Sequence, residues 1–136
     1  MAITPNEDQF LELASSEQEG EVVMLNLLRY KAKASAGEGS GEEAYRQYGS
    51  EAVKMVEERG GKVLWMGSPD QVLIGDHDAN QWDAVALVSY PNRKAFIDMV
   101  SQPAYLKSHE HRESGLADTV LIAMTPSPLA ALSAAD

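Results

Sequence analysis

The densest run of reactive side chains is His109-Glu110-His111-Arg112-Glu113. An unperturbed histidine titrates near pH ~6.5, so His109 or His111 is a candidate general acid or base. His109 and Glu113 lie four residues apart and share a helical face. Two ligands do not make a metal site, and spacing supplies no third. The alternative is a solvated, charge-laced helix end in which Arg112 pairs with a carboxylate.

Asn26 stands alone as a polar residue inside the apolar run Val22–Tyr30, VVMLNLLRY. A buried strand Asn must satisfy both its carbonyl and its amide group. It either orients a ligand, which would make it a third catalytic candidate, or bonds to a neighbouring loop. Tyr45 and Tyr48 share one helical stripe and are candidates to line a ligand. Trp65 and Trp82 are strand residues that fit a core, with Trp65 the candidate pocket wall. Tyr90 and Arg93 stand at a strand end beside a helix start, where Arg93 would bind a substrate carboxylate or an internal one.

Other chemistries lack their residues. There is no cysteine, which removes disulfides, thiolate nucleophiles and Cys-ligated metals. No nucleophile elbow is present, and no serine is visibly tied to a His and an Asp. Lys31–Gly41 is Gly-rich between a strand and a helix, but its glycines miss the phosphate-loop spacing, and Glu42 and Glu43 sit where a phosphate would bind. It reads instead as a mobile small-residue loop. Asp70, Asp76, Asp78 and Asp83 are what turns ordinarily contain. No pattern calls for a cofactor, and none is expected.

The elements that must hold these residues follow from periodicity. Thr4 as cap, Pro5 in the first turn and Glu7 completing a capping box start an N-terminal helix of about three turns, stopped at Gly20. Val22–Tyr30 is the first strand. On it Val22, Met24, Asn26 and Leu28 share one face, and Val23, Leu25 and Leu27 the other. Glu42–Arg59 is a helix with Tyr45, Tyr48, Ala52, Met55 and Val56 as its buried stripe. Gly60-Gly61 ends it. Lys62–Met66 is a second strand, which Gln71–Ile74 continues or follows as a short extra one. Trp82–Tyr90 is a third. Helices follow at Pro91–Val100 and Ala104–Ser114, the latter capped by Gly115, and Thr119–Met124 is the last strand.

The order is helix, then β-α-β-β-α-β, an antiparallel four-stranded sheet with helices on one face. Residues 1–20 form a helical extension, 21–125 the domain and 126–136 a tail. The first, third and last strands are apolar on both faces, so something must cover the face without helices. A second copy packed face to face is the simplest cover.

A net charge of −10 argues against nucleic acid and against anionic membrane surfaces. No apolar run approaches the roughly 20 residues of a membrane span. The N-terminus MAITPNEDQF has neither the basic nor the apolar region of a signal peptide. A cytoplasmic homodimer with a small-molecule ligand is the expectation.

Four stretches, VVMLNLLRY, EAYRQYGSEAVKMVEERGGKVLWMG, WDAVALVSYPNRKAF and PAYLKSHEHRESGLADTVLI, together resemble the DUF1330 family of the dimeric α+β barrel superfamily, from about Glu21 to Met124. Many members carry Ser after the Tyr-Pro; here Asn92 stands there and can cap equally well. The resemblance implies a ferredoxin-like dimeric α+β barrel. The superfamily includes small monooxygenases, isomerases, dehydratases, haem-degrading enzymes and ligand-binding domains, and fold does not choose among them. Two functions follow as expectations. One is a cofactor-free monooxygenase- or isomerase-like enzyme for a small apolar or aromatic substrate. The other is a non-catalytic ligand-binding or interaction module. A haem-linked reading is implied only by similarity of a first-strand Asn, a Trp and a helix His to Asn26, Trp65 or Trp82, and His109.

Overall fold

The computed structural model describes residues 4–127. The first strand, β1 (Val22–Tyr30), lies where the sequence places it and takes an inner position in a four-stranded sheet. The other strands are β2 (Lys62–Gly67), β3 (Ala84–Tyr90) and β4 (Leu116–Met124), in the order β2-β3-β1-β4, all antiparallel. Among the described residues the fold is completed by four α-helices, α1 (Glu7–Ala14), α2 (Gly41–Glu58), α3 (Arg93–Val100) and α4 (Pro103–Gly115), and a 3-10 turn at Asp78–Asn80. This is the expected ferredoxin-like α+β arrangement, with an extra helix at the N-terminus.

The register decides which side of β1 is which. Val22, Met24 and Leu28 are buried beneath the helices, and Asn26 shares their face. On this side Val22, Met24, Val56, Tyr90, Phe96, Met99 and Tyr105 make the main core. Leu28, Ala84 and Leu116 make a second, packed against Tyr30 and Tyr45. The other face carries no helix. It aligns Leu25 with Leu87 and Ile122, Leu27 with Val85 and Val120, and Leu87 with Trp65. Trp65 is 56 % exposed there.

Several boundaries differ from the sequence reading. Asn6, not Thr4, caps α1, and the capping box closes on Gln9 rather than Glu7. Both Thr4 and Asn6 can cap; the reciprocal bond from the Asn6 backbone to Gln9 selects the later start. The helix then ends at Ala14, well before Gly20. Gln71–Ile74 forms no strand; Leu73 and Ile74 stand out in a loop, 82 % and 91 % exposed. The second strand stops at Gly67, so these residues have no ladder to join. β3 starts at Ala84, two residues late, and β4 starts at Leu116, three residues early. Gly115 ends α4 from within, and Leu116 is its cap.

The loop 31–40 is strapped down by backbone bonds. Lys31 N donates to Gly115 O (2.8 Å), Ser35 N to Ser114 O (3.0 Å) and Gly41 N to Lys31 O (3.0 Å). Ser40 then caps α2 in a box with Glu43. The loop carries the chain from β1 into α2 against the α4–β4 junction, which fixes the tyrosines of α2 relative to the sheet. The expected tail lies outside the described residues from position 128 onward.

Candidate functional site

α2 presents Tyr45 and Tyr48 one turn apart on its inner face, and they meet a line of aromatic rings. Tyr30 lies 5.7 Å from Tyr45, Tyr45 5.3 Å from Tyr48, Tyr48 6.0 Å from Tyr105, and Tyr105 5.8 Å from His109, centroid to centroid. The hydroxyls of Tyr48 and Tyr105 share a hydrogen bond of 2.9 Å. Tyr90 packs edge-on against Phe96 in the neighbouring core. Together these are all five tyrosines of the chain.

Arg112 enters this cluster from α4. Its side chain is buried, with the guanidinium 6.0 Å from the Tyr48 ring centre and Nη2 3.5 Å from Thr119 Oγ1, and it hydrogen-bonds the Tyr45 hydroxyl. Burial pushes the hydroxyls of Tyr45, Tyr48, Tyr90 and Tyr105 above the ordinary tyrosine value, with Arg112 opposing in each case. These hydroxyls stay protonated near neutral pH and serve as hydrogen-bond groups, not bases.

A cleft of roughly 870 Å³ opens beside the cluster. It exists because α2 packs chiefly on α4 and leaves β2 largely uncovered. Its walls are Tyr30, Tyr45, Arg46, Gly49 and Val53 on one side and Met66, Gly67, Asp83 and Ala84 on the other. Asp83 is held by its own contacts: Oδ2 accepts from Tyr30 N (2.8 Å), and Asp83 N donates to Leu28 O (2.8 Å). The Tyr30 hydroxyl is raised by burial first, then by the carboxylates of Glu42 and Asp83. Arg46 is paired with Glu42 at 2.6 Å across one helical turn.

Of the residues singled out from the sequence, Tyr45 alone lines this cleft, and Tyr48 stands directly behind it. Asn26 is turned to the helix side, but its amide donates to Met24 O (3.3 Å) and Ala86 O (3.5 Å) within its own sheet. Tyr90 is core. Trp65 lies on the opposite face of the sheet, because it pairs with Leu87. Asn26 and Trp65 therefore lie on opposite faces of the sheet, and Trp82, the other tryptophan of the haem-linked reading, stacks against Arg29. Arg93 reaches Thr125 at 3.4 Å on the periphery. His111 is a surface residue 3.8 Å from Glu51.

His109 is mostly covered and pairs with Glu113 at 2.9 Å. Desolvation lowers its pKa, the nearby Arg112 lowers it further, and Glu113 opposes. A histidine with a depressed folded value stabilises the fold above its unfolded value of about 6.5, and that contribution is lost as pH falls toward the folded value. Stability is expected to fall as pH drops below about 6.5, and His109→Gln is expected to flatten that slope in urea denaturation. An unchanged slope would exclude His109 as its source.

Nothing in the sequence singles out Tyr30 or Tyr105 for the site, and it presents Asp83 as a turn residue and Arg112 as part of a solvated charge run. The available signal was on α4: Tyr105, Ser108 and Arg112 recur at helical spacing and all are buried. Arg112 was hidden in a run of charge that reads as solvated.

Comparison with known proteins bears on the family and the fold. A search of curated proteins finds no match. The structure of RPA0582 from Rhodopseudomonas palustris, a protein of unknown function, is 36% identical, with a TM-score of 0.87 over 92% of this chain and 96% of that one. A dabb family protein with a ferredoxin-like fold from Mesorhizobium loti is 13% identical, with a TM-score of 0.54 over 80% and 99% of the two chains. A dimeric ferredoxin-like protein of unknown function from Thermobifida fusca is 14% identical, with a TM-score of 0.50 over 82% and 96%. The family model for a domain of unknown function, DUF1330, matches residues 38–125, and the chain belongs to that family.

Proposed function

We propose that the protein binds a compact small molecule with an apolar or aromatic body in the cleft between α2 and the β2–β3 edge. The supporting observation is the cleft itself, walled by Tyr30 and Tyr45 and placed over a hydroxyl cluster fixed by buried Arg112. The lining is mixed, with Tyr30, Tyr45, Val53 and Met66 interrupted by Lys31, Glu42, Arg46 and Asp83, and an apolar body held by placed polar groups is the usual form of such sites. Tyr30 and Tyr45 supply ring faces, and Asp83 supplies a carboxylate whose orientation the Tyr30 amide fixes. Proton transfer is the chemistry this lining can carry: Asp83 takes a proton from one position of the bound molecule and returns it at another, and the Tyr30 hydroxyl beside Asp83 steadies the charge in between. That is isomerase-like chemistry and uses no cofactor. His109 and His111 do not line the cleft and take no part in this reading.

The working unit we propose is a homodimer closed over the open sheet face. That face shows Leu25, Leu27, Val85, Leu87, Val120, Ile122 and Trp65 to solvent in one copy, an apolar surface of the kind that marks an interface. The Thermobifida fusca protein of the same fold is described as dimeric.

Gly49 provides the test. Gly49 lines the cleft, and a Cβ added there meets nothing within 4 Å. Gly49→Leu is expected to fold at least as stably as the parent and to weaken binding of small aromatic fragments by at least about tenfold, a loss of about 1.4 kcal/mol. Ligand-observed NMR on both proteins reads this out. Fragments that bind both proteins equally would place the ligand elsewhere.

A further inference from the structure

Arg112 gives the tyrosine cluster a direction. A guanidinium has donors and no acceptor, so the Tyr45 oxygen accepts from Arg112 and keeps its own proton for another partner. The neighbouring hydroxyls do not take that proton, because those of Tyr48 and Tyr105 are paired with each other at 2.9 Å. Among the described residues no other group accepts from the Tyr45 O–H. Hydroxyls set this deep rarely go without an acceptor. Tyr45 is also a wall of the cleft, and the cleft is the side on which an acceptor can arrive.

The donor is a strong one. The buried positive charge on its oxygen polarises the O–H, and little water is present to weaken the effect. Such a donor favours an acceptor that gains negative charge over one that stays neutral. The cleft has its base some way from this donor. Tyr30 stands between the two, with its ring 5.7 Å from that of Tyr45 and its backbone N bonded to Asp83 Oδ2 at 2.8 Å. One compact molecule lying along Tyr30 reaches a carboxylate at one end and the Tyr45 hydroxyl at the other.

We infer that the ligand of the cleft is a small carbonyl compound with a C–H beside the carbonyl, its oxygen received by the Tyr45 hydroxyl and that hydroxyl positioned by Arg112. This rests on the cleft reading above and names its substrate class. The Asp83 carboxylate takes the proton from the carbon next to the carbonyl. The C–H electron pair becomes the carbon–carbon double bond of an enolate, and the carbonyl π pair moves onto oxygen. There the Tyr45 O–H meets the new charge, as a second donor beside that of Tyr30. Return of the proton from Asp83 to the same carbon, or to one conjugated with it, restores the carbonyl. Every atom and electron is accounted for, and no oxidant or reductant enters. Tyr45 touches the substrate; Arg112 acts through Tyr45 and is a positioning residue.

The experiment uses acetophenone and ethylbenzene, two aromatic probes of similar shape, one with the carbonyl oxygen and one without it. Both are titrated by NMR into the parent, Tyr45→Phe and Arg112→Lys, and the carbonyl-carbon shift of bound acetophenone is read in each. Tyr45→Phe keeps the ring and removes the hydroxyl. It is expected to weaken acetophenone at least about tenfold and ethylbenzene less than about twofold. The bound carbonyl carbon is expected downfield in the parent and back upfield in Tyr45→Phe. Arg112→Lys keeps the charge without the planar fork and is expected to move both readouts part of the way. Exchange of the acetophenone methyl hydrogens for deuterium in heavy water is expected to be at least about tenfold faster with the parent than with Asp83→Asn or Tyr45→Phe. Equal losses for the two probes in Tyr45→Phe, or a carbonyl shift that does not move, overturn the carbonyl inference and leave the cleft reading standing. So does binding of acetophenone with no acceleration of exchange. Failure of both probes to shift Tyr30, Tyr45 and Asp83 at millimolar concentration overturns the cleft reading and this inference with it.

Discussion

Replacing Gly115 by valine is expected to cost the fold about 3 kcal/mol or more, measured by urea denaturation. A Cβ at Gly115 would lie 2.4 Å from Gly41 O and 2.9 Å from Tyr45 N, both backbone atoms. At Gly41 the equivalent atom would lie 2.2 Å from Lys31 O. No rotamer change relieves a clash with backbone, so either α4 lifts from α2 or the bonds from Lys31 N to Gly115 O and Gly41 N to Lys31 O break. This is a close-approach requirement; neither glycine has a positive φ. Gly49→Ala is the control. Nothing lies within 4 Å of its added methyl, and mid-helix replacement of Gly by Ala gains up to about 1 kcal/mol. A mild effect at Gly115 would mean that the α2–α4 contact is looser than the structure shows.

Arg112→Ala is expected to destabilise by about 3 kcal/mol, from a cavity and from polar groups left without its hydrogen bonds. The guanidinium joins three elements: the Tyr45 hydroxyl and Tyr48 ring of α2, Thr119 of β4, and its own helix. Thr119 in turn donates to Leu27 O of β1 at 2.8 Å. Arg112→Lys keeps charge but not the planar fork, and is expected to recover only part of the loss. A second readout separates this role from simple packing. Arg112 is one of the two causes that lower the pKa of His109, so Arg112→Met is expected to raise it. An NMR titration of His109 that does not move would show that the guanidinium is turned away from it.

Much of the fold was legible because strong signals agreed. β1 runs from Val22 to Tyr30 as its double-sided apolarity indicates, and α2 follows its stripe between a serine cap and Gly60. Misreadings arose where one signal served another purpose. Gln71–Ile74 is apolar like a strand, but it stands out in a loop with Leu73 and Ile74 exposed. Thr4 with Glu7 satisfies the capping-box pattern in the sequence, but in the structure Asn6 caps and Gln9 closes the box. The site was harder. Tyr45 and Tyr48 were visible on one stripe, but their partners Tyr105 and Arg112 come from α4, some 60 residues along, and period alone does not show which helices touch. Alternation grouped Asn26 with Met24 and Leu28 but not with a side; the burial of Val22, Met24 and Leu28 supplies that.

The most direct test of the ligand site is a chemical-shift map of the parent protein with bound aromatic fragments. The account predicts the largest backbone shifts at Tyr30, Tyr45, Gly49 and Asp83, on the cleft walls. Shifts centred instead on Leu25, Leu87 and Ile122, or on His109 and Glu113, would contradict it.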